Sequence, residues 1–261
     1  MIRVRNLVKG FDGTKVLDGL TFTAEKGKIT VIMGGSGGGK STLLRCLIGA
    51  LRVDSGEIWI GDKEITRLRE VEMNEVRKRF GMCFQNGALF NSMTVGENVA
   101  LPIREHTRLA EHVISIMVKM KLELVGLRDA ENLMPSQISG GMAKRVAVAR
   151  ALALDPEIVF YDEPSAGLDP IVRAVIDELM MDLSNKLGIT SVVITHELGS
   201  AFKIADHMVM LYKGQVVAEG TPEEIQNSDD PVINQFIHGS PDGPVPRRLS
   251  SKDYGEDLLY T

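Results

Sequence analysis

A chain of 261 residues, 44% hydrophobic and 25% charged, suffices for one large domain or two lobes around a buried core. Its net charge of −5 excludes the basic footprint of a nucleic-acid binder. Two cysteines far apart, Cys46 and Cys83, exclude a disulfide framework and a cysteine-ligated zinc centre, and fit a reducing cytosol. The start, MIRVRNLVKGF, lacks an apolar signal core, and no apolar run approaches the ~20 residues of a membrane span. Any work at a membrane is therefore expected to go through a partner.

In chain order, residues 2–8, 15–23 and 28–33 read as short strands, and 55–65 as another that turns at Gly61-Asp62. Helix signals cover 69–79. Residues 109–122 place Leu109, Val113, Ile116, Met117 and Met120 at helical spacing. That methionine-rich face is expected in the core, with a partner groove as the alternative. PEIVFYDEP and GITSVVITHE read as buried strands ending in polar turns, with a helix over 170–187 between them. Strand and helix alternating in this way predict a parallel sheet. SDDPVINQFIHG reads as a short helix capped by Asp230, with Pro231 in its first turn and Gly239 as its stop.

Chemistry enters with VIMGGSGGGKST. Gly34, Gly39, Lys40 and Ser41 fit the phosphate-binding pattern GxxxxGK[ST], between an apolar strand and a helical run. Gly34, Gly35, Ser36, Gly37, Gly38 and Gly39 present backbone N–H groups to a β-phosphate. Lys40 adds a point charge for the β and γ oxygens, and Ser41, followed by Thr42, suits Mg²⁺. IVFYDEP sets two carboxylates at a strand end. Asp162 suits the Mg²⁺ contact, and Glu163 suits general-base work on the attacking water. His196 follows the next strand, where ligands of open α/β sheets collect, and suits the γ-phosphate and the water. Gln85 ends RFGMCFQ, and its amide suits Mg²⁺ or water. In PSQISGGMAKRVAVARAL, Ser139, Gly140 and Gly141 open a helix and form an anion site.

This ordered set, with SAGLDP at residues 165–170, resembles the ATP-binding subunits of ABC transporters over residues 1 to about 237. The resemblance implies an α/β fold: a P-loop NTPase (RecA-like) core with an antiparallel β subdomain and a helical signature subdomain over about 86–155. The ATPase domain then spans 1–238. It also implies ATP and Mg²⁺ as cofactors, with Phe11 stacked on adenine. Two chains would sandwich two nucleotides head to tail. Ser139, Gly140, Gly141 and Asp169 would then serve the nucleotide of the partner protomer.

Finer phrases narrow the group. Met142 stands where glutamine is common, and QNGALF, LMPSQISGGMAKR and DGPVP resemble the Mla/Mce-type lipid-transport ATPases. That likeness implies a separate permease dimer in the bacterial inner membrane, a Mce-domain lipid-binding protein and a STAS-domain protein as partners. The chain would sit peripherally on the cytoplasmic face and drive phospholipid movement between membranes. The permease is expected in a groove built around residues 85–90, where Leu89 and Phe90 are either core or contact residues. The rivals are a small-solute importer ATPase and a soluble ABC ATPase acting on nucleic acid or Fe–S assembly. Residues 239–261 support two expectations. Composition favours disorder, whereas Pro244, Pro246, Tyr254, Leu258, Leu259 and Tyr260 favour an extended inter-subunit arm.

Overall fold

The computed structural model describes residues 1–245. Strand β1 (Ile2–Phe11) and strand β2 (Thr14–Ala24) form an antiparallel hairpin. Their two-residue turn, Asp12-Gly13, holds both residues at positive φ (48° and 79°), the geometry that matches strand twist. Strand β3 (Ile29–Gly34) follows, and then helix α1 (Lys40–Leu47). Strands β4 (Ser55–Ile60) and β5 (Lys63–Glu64) complete a four-stranded sheet in the order β2-β1-β4-β5. The strand expected over 55–65 is thus two short ones broken at the Gly61-Asp62 turn.

Helix α2 (Glu70–Arg77) leads to strand β6 (Phe80–Cys83). Three helices are inserted next: α3 (Val95–His106), α4 (Glu111–Leu124) and α5 (Gly140–Ala151). The chain then returns to strand β7 (Ile158–Asp162), helix α6 (Pro170–Leu187), strand β8 (Thr190–Ile194) and helix α7 (Leu198–Ile204). Strands β9 (His207–Tyr212) and β10 (Gln215–Gly220) precede helices α8 (Pro222–Gln226) and α9 (Pro231–His238). The second sheet has the order β10-β9-β3-β8-β7-β6, parallel throughout except for β10 on β9.

This parallel sheet is covered on both faces, so its strands are continuous apolar runs. Alternation divides their side chains between two cores. Ile32, Ile158, Phe160, Val192 and Ile194 join Leu43, Leu44 and Leu47 of α1 and the inner face of the antiparallel sheet. Val31, Met33, Val159, Tyr161 and Val193 join Ile176 and Met180 of α6 and the inserted helices. Consecutive residues thus tie the central strands to both layers.

Helix α9 follows its sequence signals. Asp230 accepts from the N–H groups of Val232 and Ile233, and Gly239 ends the helix at φ 60°. The face expected in the core on α4 is corrected. The buried positions are Ile114, Val118, Lys121 and Leu122; of the expected face Met117 does pack against the core, while Leu109, Ile116 and Met120 are 43%, 57% and 61% exposed. Apolar residues occupy more than one face of this helix, so spacing alone does not select the one that packs. At the C-terminal end, the Gln235 side chain pairs with both main-chain groups of Val245, at 2.7 and 3.1 Å. The expected arm anchors Tyr254, Leu258, Leu259 and Tyr260, together with Pro246, lie outside the described residues.

Candidate active site

The strand order brings the sequence motifs together. Neighbouring strands β3, β8, β7 and β6 run in one direction. Their C-terminal ends deliver, in turn, the glycine loop, His196, the Asp162-Glu163 pair and Gln85. These residues line one cavity of about 360 Å³, with Ser36, Gly37, Gly38, Gly39, Lys40, Ser41, Thr42, Val16 and Ile194.

The loop has the backbone an anion site needs. Gly34 lies at φ 148°, and a Cβ there would stand 2.1 Å from the Leu211 carbonyl oxygen on β9. Gly39 (φ 95°) would drive a Cβ into Leu17 and the Val16 carbonyl. Both positions therefore require glycine. Gly39 is the N-cap of α1 and has no side chain to satisfy the first N–H groups of the helix. Those donors and the helix dipole face the cavity. Lys40 Nζ donates to the carbonyls of Gly34 (2.8 Å) and Gly35 (3.0 Å). Burial lowers its pKa, opposed by the charges of Glu163 and Asp162.

Glu163 is held by backbone strain. Its φ of 48° is uncommon for a side chain with a Cβ, and its N–H donates to the Ile194 carbonyl at 2.8 Å. That turn swings its carboxylate across to the end of β8. There Oε2 lies 2.8 Å from His196 Nδ1 and 3.3 Å from the His196 N–H. The glutamate side chain is only 12% exposed, whereas the imidazole is open to solvent. A carboxylate only accepts, so Nδ1 is the donor of this contact, and Nε2 is the ring nitrogen turned away from Glu163. Asp162 beside it has a raised pKa, because of burial first and then the Glu163 charge.

Phe11, Ser139, Gly140, Gly141 and Asp169 do not line this cavity. Phe11 is exposed at the end of β1, with Lys9 Nζ 5.4 Å over its ring. Ser139 caps α5 and accepts from the Met142 N–H at 3.2 Å. A Cβ on Gly140 would meet nothing, so its backbone is approachable. One on Gly141 would strike Val172 of α6 at 2.4 Å. Asp169 caps α6 through the N–H groups of Ile171 and Val172. The signature residues and Asp169 thus begin two helices in contact. Met142 packs its side chain against the core of the inserted helices.

Residues not singled out in the sequence also shape the site. Val16 lines the cavity from β2. Lys144 of α5 donates to the main-chain carbonyls of Gln85 and Glu163. Arg150 holds the carbonyls of Gly87 and Ala88 at 2.7 and 2.6 Å. Their one sequence signal is position, since both cations lie on the helix that opens with Ser139. Beyond Gln85, a second cavity of about 850 Å³ is lined by Phe84, Phe90, Leu101 and Pro102, with Glu75 and Lys78 on its α2 side. Phe84 and Phe90 are 45% and 50% exposed there, and Leu89 turns toward the core.

Residues 17–166 match the ABC transporter family model. The intermembrane phospholipid transport system ATP-binding protein MlaF of Haemophilus influenzae is 46% identical over 99% of this chain and 98% of its own length. The probable ribonucleotide transport ATP-binding protein mkl of Mycobacterium tuberculosis is 42% identical over 94% of this chain and 68% of its own length. Among solved structures, the ATP-binding cassette MJ0796, in a dimeric post-hydrolysis state bound to ADP and Pi, is similar at TM-score 0.78 and 30% identity. That match covers 85% of this chain and 99% of MJ0796. The strand–loop–helix anion site and the strained carboxylate fit these relatives, and the chain belongs to the ABC transporter family, as an ATP-binding subunit similar to those of phospholipid transport.

Proposed function

We propose that this chain hydrolyses ATP to drive a separate permease that moves phospholipids or related lipids between the inner and outer membranes of a bacterium. The observation that carries the reading is the meeting of Lys40, Asp162, Glu163, His196 and Gln85 in one cavity at the glycine loop. Loop N–H groups and Lys40 hold the phosphates. Glu163 accepts a proton from the attacking water; the water oxygen bonds the γ-phosphorus as the bond from that phosphorus to the bridging oxygen breaks, and ADP leaves with that oxygen. His196 donates from Nδ1 to the Glu163 carboxylate; as the imidazolium, with a donor on each nitrogen, it also donates from Nε2 to a γ-phosphate oxygen.

The residues fit Mg²⁺. Ser41, the Gln85 amide and Asp162 are hard oxygen donors, and the pKa of Asp162 is raised by burial first and by the Glu163 charge second, both of which a bound cation would offset. No cluster of three or more His, Cys, Asp or Glu suits a metal among the described residues. A site completed by nucleotide phosphates accounts for this. The ion supplies charge neutralisation on the phosphate oxygens. Phe11 stacks on adenine from the exposed end of its hairpin.

Ser139, Gly140, Gly141 and Asp169 face a partner protomer's nucleotide in a head-to-tail dimer. That they do not line this chain's own cavity supports that placement, as does the dimeric state of MJ0796. No helix among the described residues is long and apolar enough to cross a membrane. Residues 1–238 form the ATPase domain, with the helical subdomain over about 86–155. It docks peripherally on the cytoplasmic face of the inner membrane and receives the permease in the groove around Phe84 and Phe90. A Mce-domain lipid-binding protein and a STAS-domain protein complete the assembly.

The name of the mycobacterial relative supports a second reading, transport of a small solute such as a ribonucleotide. Purification of the tagged chain with its complex from membranes, followed by mass spectrometry of subunits and bound small molecules, separates the two. The lipid reading expects a permease, a Mce-domain protein and co-purified phospholipid. A soluble-solute binding protein without lipid supports the other.

A further inference from the structure

Lys144 has no catalytic or nucleotide-binding role assigned above, yet it joins the residues after two of the site's strands. It follows Ser139 by five positions on α5, about 7.5 Å along the axis at 1.5 Å per residue, so one rigid element carries both. Its ammonium reaches the main-chain carbonyl of Gln85 and, at 3.3 Å, that of Glu163. These carbonyls follow two neighbouring strands, β6 and β7. Fastening the loop after Gln85 does not require Lys144, because Arg150 already binds its Gly87 and Ala88 carbonyls. What Lys144 adds is the connection to Glu163, at the residue whose strained backbone aims the carboxylate.

Ser139 belongs functionally to the partner's nucleotide, and Glu163 to this chain's own. A tether between them spans two sites. We propose that Lys144 is a positioning residue that couples the signature helix to Gln85 and Glu163, so that docking of Ser139 on the partner's nucleotide sets this protomer's own general base. The inference rests on the dimer and base assignments of the proposed function. As Ser139 is drawn onto the partner's phosphate, α5 carries Lys144 with it. The peptides after β6 and β7 then shift together rather than independently.

The test is steady-state hydrolysis by the full-length protein against ATP concentration, for the parent, Lys144→Met, Lys144→Arg and Glu163→Gln. Misplacing a base without removing it predicts that Lys144→Met lowers kcat by about ten- to a hundredfold, with KM for ATP within about twofold. The Hill coefficient falls from near its two-site limit of about 2 toward 1. Lys144→Arg, which retains a cationic donor, recovers most of the rate. Should Lys144→Met fail to fold, Lys144→Gln carries the same expectations. A kcat and Hill coefficient like the parent's overturn the coupling, as does a rise in KM alone, which would make Lys144 a nucleotide ligand. If those results accompany a loss of turnover in Glu163→Gln, only the coupling falls. Full turnover in Glu163→Gln removes the base assignment and the coupling with it.

Discussion

Asp162 and Glu163 are adjacent in sequence but differ in environment. Glu163 turns through a left-handed backbone to meet His196, whereas Asp162 ends β7 half-buried with the Glu163 charge beside it. The pKa of Asp162 is raised in the folded chain, so its ionised form is disfavoured by folding. Stability is therefore lost where Asp162 is ionised and regained as pH falls through its folded-state pKa toward the ordinary aspartate range. Nucleotide-free Asp162→Asn is expected to melt above the parent at pH 7, by about 2–4 °C if the relief is near 1 kcal/mol. The gap should close in acid, as seen by thermal melts across pH. At this scale the sequence is most legible where chemistry imposes a spacing, as in the glycine loop, the DE pair and His196. Val16, Lys144 and Arg150 were not legible, because each acts by reaching another element through space.

The elements obey local rules with instructive exceptions. Thr94 and Glu97 form a reciprocal cap for α3, a start signal readable in the sequence, but Pro102 inside that helix argues against it. Tertiary packing overrides the proline. On α4, spacing identifies a helix but not its buried face, because several apolar faces compete. Asn98, fully buried on α3, organises the loop that presents Phe90. It accepts from the Phe90 N–H at 2.8 Å and donates to the carbonyls of Phe90, Met93 and Thr94. Asn98→Ala should cost about 1–3 kcal/mol for each buried group left unpaired, giving a lower Tm and a weaker hold on the permease. Phe90→Asp instead puts a charge into the apolar groove without disturbing that hub. It is expected to keep basal ATPase while abolishing co-purification with the permease; persistent co-purification would place the docking face elsewhere.

At the scale of the molecule, two layers of core fix the central strands, and their shared C-terminal edge becomes the site. The parallel core, the antiparallel sheet and the inserted helices were all legible through the resemblance of the motifs. The exact partition of residues between the two cores was not, since it follows from sheet order rather than local pattern. On the proposed function, nucleotide-driven closure of a dimer would convert this architecture into work. Moving a dimer from 1:99 open to 99:1 closed takes about 5.5 kcal/mol of differential binding. Two ATP molecules, each gripped by the loop of one chain and the Ser139 end of α5 in the other, would share that requirement. Hydrolysis at Glu163 would withdraw it. The most direct measurement is the mass of purified full-length Glu163→Gln by light scattering, with and without Mg²⁺ and ATP, beside Glu163→Gln/Ser139→Ala. The account predicts a doubling of mass with ATP for the first protein and a monomer, or a much weaker dimer, for the second. A Glu163→Gln protein that stays monomeric at saturating ATP, or a dimer indifferent to Ser139→Ala, would contradict it.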